Sequence, residues 1–167
     1  VTAAMLNTHV RDNLNFLNTA HGVSVYKSAN QTVPSGNTDV VTFNTELFDT
    51  DAYHDTVTNN SRLIVPAGLG GIYMISFKAQ HDADAANHNA MGINIRLNAA
   101  GNNATGTLLE TVRGTGHTNI GGIQLVTYQQ LSAGDYVEGF FISTSEARDV
   151  TGSDQSNTRF TMLRMGA

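Results

Sequence analysis

The chain has 167 residues, enough for one domain that buries roughly 70% of the surface its unfolded form would expose. Lys and Arg number 9 against 14 Asp and Glu, a formal charge of -5, so the basic footprint of a nucleic-acid binder is missing. Cysteine is absent, which excludes a disulfide scaffold, a thiol nucleophile and a thiolate zinc site; no apolar run approaches the ~20 residues of a spanning helix, so membrane insertion is not expected.

The composition also points toward a fold class. There are 20 Thr, 17 Asn and 16 Gly against only 4 Glu and 2 Lys, so strong helix formers are scarce on any surface. Threonine suits a pleated sheet, and Asn and Gly accept the positive φ angles of tight turns. An all-β protein with many turns follows.

The N-terminal stretch is the exception. From Thr2 to Ala20 the residues Leu6, Val10, Leu14 and Leu17 are spaced by 4, 4 and 3, which is helical periodicity. At 100° per residue they fall within about 80° of arc, a narrow apolar seam. Thr2 is placed to cap the helix and Gly22 to stop it. A helix this short is not stable alone in water, so it needs copies of itself or a socket on another protein. Residues 1–22 are thus expected to form an anchor or trimerisation helix, and residues 23–167 a separate head.

Beyond it, short strands alternate with Gly, Asn, Asp and Pro clusters, the pattern of a sandwich or barrel. Strands are expected near Val23–Ala29, Asp39–Asn44, Arg62–Val65, Gly71–Gln80, Asn89–Asn98, Gly106–Arg113, Gly121–Leu131, Tyr136–Thr144 and Thr158–Met165. In the fifth, Met91, Ile93, Ile95 and Leu97 share a dry face and Asn94, Arg96 and Asn98 a wet one. Two others, Ile72–Phe77 and Phe160–Met165, place large apolar groups on both faces. Their second face needs a further layer, either a neighbouring subunit or a loop or helix folded back.

Two segments resemble known families. The thirteen residues Thr2-Ala3-Ala4-Met5-Leu6-Asn7-Thr8-His9-Val10-Arg11-Asp12-Asn13-Leu14 resemble a segment recurring near the N-termini of tailed-bacteriophage structural proteins. The remainder resembles the jelly-roll heads of the tumour-necrosis-factor and complement globular-head superfamily. That likeness is carried in order by Val40–Asp49, Leu63-Ile64-Val65-Pro66, Gly71–Phe77, Ile93–Asn98, Leu131–Val137 and Phe160-Thr161-Met162-Leu163. The resemblance implies an antiparallel two-sheet jelly roll, preceded by one helix and assembled as a homotrimer. Its implied axis would be lined by Tyr73, Ile75, Phe77, Phe160, Met162 and Leu163.

Candidate chemistry is sparse. Asp49, Asp51 and Asp55, with His54 between them, are weak candidates for a hard cation such as calcium, which wants six to eight oxygens. The segment lacks the spacing and terminal Glu of an EF-hand, and turn-forming Asp explains it as well. His81, Asp82 and His88 could likewise ligate a metal or simply form a hairpin tip. His9, His21 and His117 are isolated. No Gly-x-Ser-x-Gly, Ser-x-x-Lys or His-Glu-x-x-His motif occurs, so neither a catalytic residue nor a cofactor is expected.

The reading that collects these features is a non-enzymatic bacteriophage virion structural protein: a trimeric fibre, capsid decoration or tail component. It would attach to another virion protein through residues 1–20, project from the particle surface, and be made in the bacterial host cytoplasm. Two alternatives stand beside it. One is a receptor or carbohydrate-binding module that contacts a host cell-surface glycan; the other is a polysaccharide-degrading enzyme, because sheet proteins can carry such chemistry on loops without a motif.

Overall fold

A computed structural model describes residues 2–18, 20–82, 90–115, 121–144 and 146–166. The helix α1 spans Ala3–Asn18. Its N-terminus is capped as expected, with the Met5 amide donating to the Thr2 hydroxyl at 3.2 Å. Among the described residues twelve strands follow: β1 Gly22–Tyr26, β2 Gln31–Val33, β3 Thr38–Val40, β4 Thr45–Asp49, β5 Arg62–Ile64, β6 Gly71–His81, β7 Ala90–Leu97, β8 Thr107–Thr115, β9 Gly121–Leu131, β10 Tyr136–Ser143, β11 Arg148–Val150 and β12 Arg159–Gly166.

The strands form two antiparallel sheets packed face to face. Sheet I runs β2-β11-β6-β12-β1-β4, with β9 on the other side of β6. Sheet II runs β3-β10-β7-β8, with β5 also paired to β10. The first strand of the head lies beside the last, Gly22 opposite Leu163 and Tyr26 opposite Arg159, so the two ends of the domain close one sheet.

The core fills the space between the sheets. In β6 the odd residues Tyr73, Ile75, Phe77 and Ala79 are fully buried, and the register places Phe160 beside Phe77 and Met162 beside Ile75. Phe77, Phe43 and Phe160 form a ring cluster with centroids 5.4 to 6.3 Å apart. Sheet II answers with Ile93, Ile95, Val137 and Phe141, each buried completely. Gly139 of β10 stands over the Phe77 ring, where an added Cβ would lie 2.9 Å from a ring carbon. Only glycine lets the two sheets approach there. Each large apolar side chain removed from water in this way contributes about 1.5 to 3 kcal/mol.

The nine expected strands are present with ends shifted by a few residues, except that the expected Asp39–Asn44 is only β3 at its start and an irregular stretch after it. Three strands were not anticipated. β2 and β11 have three residues each and pair mainly with one another, 117 positions apart at Thr32 and Asp149, so neither carries a local alternation. β4 is an edge strand with a bulge opposite Ser24 and Val25, which breaks its period of two.

Candidate functional site

Five of the six residues expected to line a trimer axis do not. Tyr73, Ile75, Phe77, Phe160 and Met162 are inaccessible within a single chain, because they point inward to sheet II. Only Leu163 lies on the opposite, outward face. The period of two in a strand explains the error: a doubly apolar strand has one set of side chains in the core and the alternate set outside.

That alternate set is the most conspicuous surface of the molecule. Register places Tyr128, Met74, Leu163 and Gly22 in one row across β9, β6, β12 and β1. Ile72 lies in the adjoining row between Gln130 and Gly166. Next inward come Val126, Ser76, Thr161, Ser24 and, on β4, Phe48; then Gln124, Lys78, Arg159 and Tyr26. Tyr128 is 62% exposed, Met165 57%, Val126 46% and Ile72 45%. The face therefore grades from apolar at the Gly22 end, through hydroxyls, to cationic at the Tyr26 end. Its middle is internally bonded: Ser24 and Thr161 hydroxyls lie 2.9 Å apart, and the Gln124 amide donates to the Ser76 hydroxyl at 3.1 Å.

Sheet II is finished differently. Its outward residues Glu138 and Phe140 are fully buried, and Asn94, expected on a wet face, is buried as well. The connection after β7 folds back over them: Asn103 Oδ1 accepts from Asn94 Nδ2 at 3.0 Å and Arg96 Nε at 3.1 Å, and the Gly101 amide donates to Glu138 Oε2 at 2.9 Å. Glu138 Oε1 accepts from the Ser61 hydroxyl at 2.8 Å and Arg62 Nε at 3.2 Å. The Arg62 guanidinium in turn stacks 4.3 Å above the Tyr136 ring. A buried carboxylate with three donors is a structural anchor.

The acidic segment after β4 proves to be built as a turn. Asp49 accepts from the amides of Asp51, Tyr53 and His54, and Asp55 from those of Val57 and Thr58. These amides favour the charged Asp55 and hold its carboxyl below the usual range. Asp51 turns to the head's N-terminal edge, where its Oδ2 meets His21 Nδ1 at 2.9 Å and the Thr50 hydroxyl at 2.6 Å. Although burial opposes it, these two contacts keep the Asp51 carboxyl low. His54 bridges Glu46 at 3.0 Å and the Asn60 carbonyl at 3.2 Å. Among the described residues no three His, Asp or Glu side chains gather as a metal set. His81 and Asp82 bond to Asp82 O and Asp149 N respectively, while His88 and His117 lie outside the described residues.

Two polar features were invisible in the sequence. His21, read as isolated, is joined to Asp51 across 30 positions. Lys27 is almost completely buried, donating to Gln31 Oε1 at 3.0 Å and the Thr42 carbonyl at 2.8 Å, and burial pulls its pKa down to about 8. Gln31 also donates to the Val40 carbonyl at 2.7 Å, so this pair stitches β2 of sheet I to β3 of sheet II. Helix α1 presents Leu6, Val10 and Leu14 to solvent, each about half exposed; the Leu17 side chain is not among the described ones.

No family model matches the chain, and neither does any curated protein sequence. Solved structures do. Murine APRIL at pH 5.0 is 9% identical with a TM-score of 0.65, over 88% of this chain and 100% of that one. The globular domain of zebrafish complement 1qA is 14% identical with a TM-score of 0.58, over 87% and 97%. Eiger TNF from S. frugiperda is 11% identical with a TM-score of 0.62, over 88% and 93%. At such identities the likeness shows the fold, a jelly roll of the tumour-necrosis-factor and complement-head type.

Proposed function

We propose that this protein is a non-enzymatic homotrimeric head that packs through the outward face of sheet I and serves as a surface appendage of a bacteriophage virion. The observation that carries the trimer is the apolar outward face of sheet I, on which Ile72, Val126 and Tyr128 are exposed and Met74 and Leu163 half-buried. A contiguous face of this kind on a folded domain marks an association surface. A closed threefold arrangement would bury it in every copy, leaving no unpaired patch.

The virion assignment has a separate support, the thirteen-residue likeness of Thr2–Leu14 to phage structural proteins. The solved structures speak to the fold of the head alone. In this reading the helix sits at the particle end and the head projects outward, as a fibre, capsid decoration or tail part. A host cell-surface glycan is the partner to test at the exposed loops.

Sedimentation of the purified chain is the direct experiment, with a trimer expected at micromolar concentration. A monomer there overturns the assembly reading. Cryo-EM of intact particles, with wild-type and helix-deleted chains, tests the virion role: loss of the head on deletion is expected, and normal incorporation without residues 1–20 rejects the anchor.

A further inference from the structure

We infer that α1 packs against the α1 helices of two other copies, as a parallel, in-register bundle continuing from the apolar end of the trimeric head. This rests on the trimer reading and goes beyond it by naming what covers the helix. Three observations combine.

First, α1 has an apolar seam that no described strand covers. Leu6, Val10 and Leu14 are half exposed, with Met5 beside them, and no strand packs along the helix among the described residues. A 16-residue helix is marginal in water without tertiary cover.

Second, the chain delivers the helix to the right place. From Asn18 to Gly22 there are four residue steps, at most about 14 Å of chain. Gly22 stands in the apolar row beside Leu163, closely enough that a Cβ would lie 2.6 Å from the Leu163 side chain. Once three heads meet through this face, three helices are tethered near one axis. A short tether sets their mutual concentration on the order of millimolar, whereas any other partner must bind from its own free concentration.

Third, the positions suit self-association. Residues 3, 7, 10, 14 and 17 are spaced 4, 3, 4 and 3, a heptad seam of Ala, Asn, Val, Leu and Leu. The flanking positions 6, 11 and 13 hold Leu, Arg and Asn, so parallel copies bring no like charges together across the seam. Asn7 at a seam position favours a single register over slipped ones.

The absence of native cysteine makes the test clean. Val10→Cys and Thr8→Cys are prepared in the full chain, each checked by sedimentation and then oxidised. Thr8 lies about 140° from the seam centre at 100° per residue. The expected result is that Val10→Cys links two copies within a trimer about tenfold faster or more than Thr8→Cys, at a rate independent of dilution. Equal or slower linking by Val10→Cys in a verified trimer overturns the bundle and leaves the trimer standing. A monomeric full chain overturns both.

Discussion

The two sheets finish their outward faces in opposite ways. Sheet II is roofed by its own chain: the connection from Asn98 to Gly106 lies over Asn94, Arg96 and Glu138, and its polar atoms find partners there. Four residues in or bounding that connection adopt positive φ, at Asn98, Ala100, Gly101 and Gly106, which is the local cost of bending the chain back over the sheet. Among the described residues sheet I has no such roof: Ile72, Val126 and Tyr128 are exposed on its outward face, and Met74 and Leu163 half-buried. An uncovered face is therefore a feature of one side and not of a loosely finished fold. The same chain that hides a carboxylate behind sheet II leaves Tyr128, Val126 and Ile72 exposed in front of sheet I.

Substitutions on each side and in the core test this contrast. The largest effect is expected where neither outward face is involved: Phe77→Ala empties the centre of the ring cluster and should cost about 3 to 5 kcal/mol, lowering the melting temperature by about 10 °C or more. That loss should appear whatever the head's state of assembly. Next comes the roofed side. Glu138→Ala leaves Arg62 and the Gly101 amide without their buried acceptor, and should cost about 3 kcal/mol in chemical denaturation without changing the oligomer seen by sedimentation. If it dissociated the assembly at unchanged stability, sheet II would be the interface and the contrast would be reversed.

On the open side the expected loss is one of assembly. Tyr128→Asp should leave circular dichroism unchanged and weaken self-association by about 2 kcal/mol per copy, read as a shift of the sedimentation profile toward monomer. Loss of the fold instead would show that the open face belongs to the domain core. A further effect concerns Lys27, at the seam between the sheets. Its folded pKa is depressed to about 8 from 10.5, so the unfolded chain binds more protons between those values and stability should rise with pH through that window. Melting temperatures measured from pH 7 to pH 10 should show this rise in the wild type and not in Lys27→Met.

Much of this architecture is local enough to read from one dimension. Alternation in β7 announces a strand because a half-buried strand repeats every two residues, and the 4, 4, 3 spacing of α1 announces a helix for the corresponding reason. β2, β4 and β11 gave no signal: their partners are remote and their side chains are mixed. The candidate site was half legible. Strands Ile72–Phe77 and Phe160–Met165 were identified as apolar on both sides, yet which set would be core and which would face out could not be told from the alternation. That choice depends on where sheet II sits.

The amino-acid order by itself determined the β class, the capped N-terminal helix, the lack of thiol chemistry and the presence of more apolar strand surface than one core can use. These are sums and periods over neighbouring residues, which physics expresses locally. Only the tertiary structure decided that Tyr73 goes in and Ile72 out, that Asn94 is buried under Asn103, that His21 meets Asp51 and that Lys27 joins two sheets. Each of these depends on how separate strands and loops pack, and a side chain's burial is set by what the packed sheets bring against it.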